Sequence, residues 1–279
     1  MKHFFPFLAL SLVFVALTSC KPKDEPIPDS FPKTHLIEEF TGQSCGYCPY
    51  GMDCIHDFMA DDTNFILVLH HYGYQQDHFT VTGSKKITNK LKVEGAPNMT
   101  INRAKTAYRE SGVKRSEVVF HPGYLTSVDK TQLEQKTYAS VNIQNTYDPS
   151  SRELKIKVSG ALCTTDYPSL NLTVLIKESG MIDSQVDYSL SSSVWKEFRH
   201  ANAVRAFLSA AEGDPITVTN QRYSENYVID LKDAWVPENC MVVAFLSEEF
   251  QPVVQAAQKP VVDGTKGGAD ILHGGITPL

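Results

Sequence analysis

Two cysteines, Cys45 and Cys48, enclose Gly46-Tyr47 and are followed at once by Pro49. A thiolate is a nucleophile toward disulfides, and two thiols at this spacing can also bond to each other. If Cys45 forms a mixed disulfide with a partner, Cys48 lies one helical turn on and can attack it. Free backbone N–H groups and the dipole at a helix N-terminus favour the thiolate. The sequence offers that setting. A strand-like run, Thr34–Phe40, ends just before the pair, and a helix-like run, Pro49–Ala60, begins just after it with Met52, Ile55 and Met59 at helical spacing. Tyr47 supplies no full charge, so a strongly depressed thiol pKa does not follow from the sequence.

A Cys-x-x-Cys pair at a strand-to-helix junction resembles the reactive centre of thioredoxin-like redox proteins. The resemblance implies two further parts. One is an acid on the preceding strand that relays protons to the second cysteine, and Glu39, six residues before Cys45, holds that position. The other is a cis-proline facing the disulfide, which presents the backbone of its preceding residue to an extended partner. Gly95-Ala96-Pro97-Asn98-Met99-Thr100 resembles that loop and makes Pro97 the candidate. Ser44 stands where thioredoxins usually carry Trp.

Other chemistries fit less well. Cys45, Cys48, Cys54 and His56, with His70 and His71, could supply zinc-type ligands. On one continuous helix, however, positions 48, 54 and 56 diverge at ~100° per residue, so no metal is expected. There is no Ser-His-Asp order, P-loop or dinucleotide fingerprint, and no cofactor is expected.

These residues need elements to place them. Residues 33–137 alternate strand and helix signals, as expected of an α/β thioredoxin-like domain. Asn64–His70 is a continuous apolar run suited to a strand buried on both faces. Gly83–Val93 is a short polar helix, Ala96–Asn102 enters a strand, and Ser127–Tyr138 reads as a surface helix. Residues 138–262 read as an all-β antiparallel sandwich domain. Their apolar residues alternate at Val141/Ile143, Leu154/Ile156/Val158, Leu170–Ile176, Ile216–Val218 and Tyr227–Ile229, and Met241–Leu246 is more continuous. Residues 263–279, with two Gly-Gly pairs, read as a poorly ordered tail.

The first twenty residues form a leader: Lys2 and His3, then an apolar run from Phe4 to Leu17 too short to span a bilayer. It ends in Leu17-Thr18-Ser19-Cys20, which resembles the bacterial lipobox and makes Cys20 the candidate lipidated residue. Charged, Pro-rich residues 21–32 read as a tether. Export permits disulfides. Beyond Cys20 and the Cys45–Cys48 pair, Cys163 and Cys240 sit in strand-like segments and could bridge, leaving Cys54 over. A formal charge of −6 argues against a nucleic-acid partner.

Glu38-Glu39-Phe40-Thr41-Gly42, Cys45–Pro49, His200–Arg205 with Gly213–Ile216, and Cys240–Leu246 with Val253–Ala257 together resemble the outer membrane protein 28 family of lipoproteins. That resemblance implies a lipid-anchored envelope protein with a thioredoxin-like domain and a β-sandwich. The expected function is thiol–disulfide exchange with envelope proteins or peptides that carry thiols or disulfides, with the membrane met through the lipid. The alternative is a binding or adhesion lipoprotein that uses the thioredoxin fold as scaffold.

Overall fold

The computed structural model describes residues 26–60, 62–263 and Gly274–Gly275. The leader, Cys20, residues 21–25 of the tether and the rest of the tail lie outside the described residues. No helix among the described residues is long and apolar enough to cross a membrane.

In chain order the first half runs β1 (Phe31–Pro32), β2 (His35–Thr41), α1 (Cys48–Met59), β3 (Phe65–His71), α2 (Thr82–Lys90), β4 (Asn98–Ile101), β5 (Thr106–Glu110), β6 (Val113–Glu117) and β7 (Lys136–Thr137). The second half adds β8 (Asn142–Tyr147), β9 (Glu153–Ala161), β10 (Leu170–Glu178), β11 (Met181–Val186), β12 (Val194–His200), β13 (Ala203–Phe207), β14 (Asp214–Pro215), β15 (Arg222–Asp230), β16 (Cys240–Glu248), β17 (Val253–Pro260) and β18 (Gly274–Gly275).

β2 and β3 pair in parallel around α1, and β4 pairs antiparallel with β2, giving a thioredoxin-like α/β core. Every residue of β2 and β3 is buried. Alternation along β2 decides what each face meets. Ile37 packs with Met52, Ile55 and Phe58 of α1. Leu36 and Phe40 face the other way, Phe40 packing with Ile87 of α2. Glu39 shares the face of Ile37, and Glu38 shares that of Leu36 and Phe40.

This sheet does not stop at the second half. β13 joins β3 in parallel at Ala203 opposite Leu69, and the strand order continues β17-β16-β10-β13-β3-β2-β4, eight strands in all with β14 beside β10. The antiparallel sheet β15-β9-β8 lies against the β10-β16 end. Ile143, Leu154, Ile156 and Val158 from one sheet meet Leu172, Val174, Ile176, Val242, Ala244 and Leu246 from the other. This is the β-sandwich. Its inward residues are the alternating apolar positions of β8 and β9 and one face of β10 and β16.

Three expectations are corrected. Ser127–Tyr138 is not a surface helix. Two short 3-10 turns, Pro122–Ser127 and Lys130–Gln132, precede β7. Val128 and Leu133 are the only aliphatic residues there, spaced five apart, and Asp129 accepts from the Thr131 N–H to close a local turn. Ile216–Val218 is not a strand, although both apolar residues still pack against the sandwich core. Cys163 and Cys240 are both free thiols. Cys163 donates its N–H to Tyr138, whose hydroxyl bonds Glu248 at the last residue of β16. Cys240 is the first residue of that strand, so the two lie on the order of 25 Å apart at ~3.3 Å per residue, against the ~7 Å limit for bridging.

Candidate active site

Cys45 and Cys48 are joined in a disulfide. The loop that carries them is fixed locally: the Cys45 N–H donates to the Gly42 carbonyl and the Cys48 N–H to the Cys45 carbonyl, at 3.0 and 3.2 Å. α1 begins at Cys48 with Pro49 in its first turn, where the missing N–H costs nothing. No side chain caps this end of the helix, so its dipole faces the disulfide loop.

Pro97 reaches the same place. The Ala96–Pro97 peptide bond is cis. A Cβ at Gly51, three residues past Cys48, would lie 2.7 Å from Pro97 Cβ and 3.0 Å from Pro122 Cγ. Gly51 therefore lets the proline loop rest directly on the first turns of α1, and a larger residue would lift it away.

The two neighbouring acids of β2 are in opposite electrostatic states. Glu38 is buried, which alone would raise its pKa, but Arg103 donates twice to it at 2.7 Å and His70 lies at 3.1 Å, which brings it down to about 2. Glu39 is completely buried, neither of its oxygens has a hydrogen-bond partner, and burial raises its pKa well above 4.5. Burial on the strand face that α1 covers favours its protonated form.

The pair is covered as well as positioned. Cys48 is 0% exposed and Cys45 only 4% exposed. The cover comes from the β11-β12 hairpin, which reaches back from the second half. The Val186 N–H donates to the Gln43 carbonyl at 2.8 Å, and the Tyr188 N–H to the Gly46 carbonyl at 3.0 Å. Gln185 Nε2 donates to the carbonyls of Cys45 at 3.0 Å and Gly42 at 3.3 Å. The Tyr188 ring stacks edge-on against Tyr47 and sits so close to Gly46 that a Cβ there would be 2.5 Å from it. Gln185, Tyr188 and Gly51 carry no sequence signal of this role, because the contacts span some 140 residues of chain or depend on one absent methyl group.

Cys54 is a half-buried thiol bonded to the Tyr50 hydroxyl on α1, and burial raises its pKa. His56, His70 and His71 do not converge with the cysteines, and among the described residues no three His, Cys, Asp or Glu side chains form a metal-holding group.

Fold and site together define a thioredoxin-like Cys-x-x-Cys domain joined through a shared sheet to an antiparallel β-sandwich. The family model described as outer membrane protein Omp28 matches residues 84–266, well over half of the chain. The chain belongs to the outer membrane protein Omp28 family, and is thus a protein of the outer membrane and cell envelope. The matched stretch begins after Cys48, so the redox pair stands on its own geometry. Among solved structures, HBP35 of Porphyromonas gingivalis is similar in fold, with TM-score 0.66 and 19% identity over 86% of this chain and 78% of that one. A domain of the outer membrane lipoprotein Omp28 from the same organism aligns at 13% identity and TM-score 0.30 over 44% of this chain and 86% of that one. No curated protein matches the chain.

Proposed function

We propose that this protein carries out thiol–disulfide exchange at Cys45–Cys48 with envelope proteins or peptides. The observation that carries the reading is a closed Cys-x-x-Cys disulfide at the start of α1, with the cis-Pro97 loop seated on the same helix and an unpaired acid buried on the strand beneath. In the oxidising direction a substrate thiolate attacks Cys45 Sγ. The Cys45–Cys48 bond breaks, and its electron pair leaves on Cys48 Sγ. Glu39, whose protonated form burial favours, supplies the proton and recovers one from solvent. A second substrate thiolate then attacks the substrate sulfur and expels Cys45. Two substrate thiols become a disulfide, and the pair takes up two electrons and two protons. In reverse, Cys45 attacks a substrate disulfide and Cys48 resolves the mixed disulfide. The reduction potential against the partner's sets the direction.

Cys45 and Cys48 are the catalytic residues in this reading, Pro97 positions the partner's backbone and Glu39 moves the proton. The lipobox-like sequence supports lipidation at Cys20, with residues 21–32 as tether, 33–137 as the thioredoxin-like unit and 138–262 as the sandwich. Mass spectrometry of the mature N-terminus tests the anchor, and an unlipidated mature N-terminus would remove it.

One observation favours a second reading, a binding lipoprotein with a static disulfide: Cys45 is almost wholly covered. A redox titration with alkylation of Cys45 and Cys48 separates the two. Exchange requires a reversible midpoint within the range of thiol–disulfide oxidoreductases, on the order of −120 to −270 mV. A pair that resists reduction until the protein unfolds supports the scaffold.

A further inference from the structure

The β11-β12 hairpin does more to the disulfide loop than pack beside it. Residues 184–188 run alongside Gln43–Gly46 and take up four backbone acceptors of that loop: Gly42 and Cys45 through Gln185, Gln43 through Val186, and Gly46 through Tyr188. Gln43 returns a bond from its Nε2 to the Ser184 carbonyl at 3.0 Å. An extended peptide pairs with an exposed backbone in this way, so the hairpin occupies the edge that such a peptide would use. Its tip is built to hold shape. Asp187 accepts from the Ser189 N–H and hydroxyl and from Trp195 Nε1. The exposed faces of Tyr47 and Tyr188, 62% and 57% open, continue the surface outward from the pair.

We infer that residues 184–188 are a specificity element for exchange at Cys45: a strap that occupies the peptide-pairing edge of the disulfide loop and must be displaced before a polypeptide thiol or disulfide can engage Cys45. The inference rests on the exchange reading above. A small thiol needs only a gap at Sγ, whereas a polypeptide must bring its backbone alongside. The strap therefore discriminates by size, with Gln185 as latch and Tyr188 as the contact over Gly46.

The test uses the oxidised full chain and two probes, glutathione and an unstructured single-cysteine peptide. The rate at which each opens Cys45–Cys48 is read by acid quench and alkylation. Gln185→Ala/Tyr188→Ala removes the side-chain bonds and the ring while leaving the exchanging residues in place. Losing several hydrogen bonds of ordinary strength should speed opening by the peptide at least about tenfold, with a much smaller change for glutathione. Gly46→Ala approaches from the other side, since its methyl collides with the Tyr188 ring. Its effect on the peptide rate should vanish in a Tyr188→Ala background if both act on one contact. Unchanged preference between the probes in a folded double variant overturns the strap while leaving exchange intact. If neither probe opens the pair in either protein, both the strap and the exchange reading fall.

Discussion

At the scale of single residues, the informative contrast lies between Glu38 and Glu39. They are adjacent in sequence and both buried, yet one is ionised by Arg103 and the other has no partner. Alternation along a strand sends them to opposite faces, and environments that push two carboxyls apart mark different jobs. The sign of the pH effect follows. Folded Glu39 stays protonated where the unfolded carboxyl ionises, so its contribution to stability is full below about 4.5 and is lost as pH rises through the folded value. Glu39→Leu removes a buried group without partners and should stabilise the fold at pH 7 by about 1–3 kcal/mol, with a smaller gain at pH 4. Urea titrations at both pH values check it. The same variant should slow opening of Cys45–Cys48 if Glu39 delivers the proton. The place of Glu39 on the strand before the cysteine pair was legible in the sequence. Its lack of any partner was not, because that depends on which side chains the other strands place around it.

At the scale of elements, α1 joins three parts of the site: Cys48 at its start, Gly51 under Pro97, and Met52 and Ile55 against Ile37. Gly51→Ala raises intrinsic helix propensity by up to about 1 kcal/mol. It also puts a methyl 2.7 Å from Pro97, and such overpacking costs about 1–3 kcal/mol. A lower thermal midpoint together with slower thiol exchange is expected; a raised midpoint with unchanged exchange would mean that the proline loop does not depend on this contact. Elements with strong periodicity were legible: β2, α1, β3 and α2 fall within a few residues of the runs that suggest them. The polar β5-β6 hairpin carries no apolar alternation to announce it. The false helix at 127–138 came from a polar stretch with few breakers, where side-chain capping by Asp129 and its neighbours decides the backbone. The same logic explains Cys163 and Cys240. Cys240 does begin β16, but Cys163 lies in a bend just past the end of β9, and which end of the sandwich a cysteine reaches is a matter of topology.

At the scale of the whole molecule, one sheet carries both halves, and Lys177 stands at the join. β13 meets β3 at a single register pair, and Lys177 Nζ, fully buried, reaches across to the Leu67 carbonyl at 2.8 Å. Burial lowers its pKa to about 7. Between about 7 and its ordinary 10.5 the folded amine is neutral while the unfolded one is charged, so stability falls as pH drops through that window. From pH 9 to pH 7 this amounts to about 2–3 kcal/mol at ~1.36 kcal/mol per pH unit. Lys177→Met should abolish that slope in denaturant titrations; an unchanged slope would show that another group produces it. Such a contact is invisible in sequence, where Lys177 simply follows the apolar run Leu170–Ile176. The hairpin that covers the disulfide is likewise a property of the assembled molecule, since residues 181–200 reach their position only through the shared sheet.

If Cys45 exchanges with partner thiols and Cys48 resolves, the intermediate can be trapped in the native envelope. Cys48→Ala leaves Cys45 able to form a mixed disulfide that its own partner cysteine can no longer resolve, whereas Cys45→Ala removes the attacking sulfur. Non-reducing electrophoresis of cells expressing each variant should show high-mass, reductant-sensitive adducts for Cys48→Ala and none above background for Cys45→Ala. Equal and negligible adducts in both would contradict the account and leave the disulfide as a fixed part of a binding scaffold.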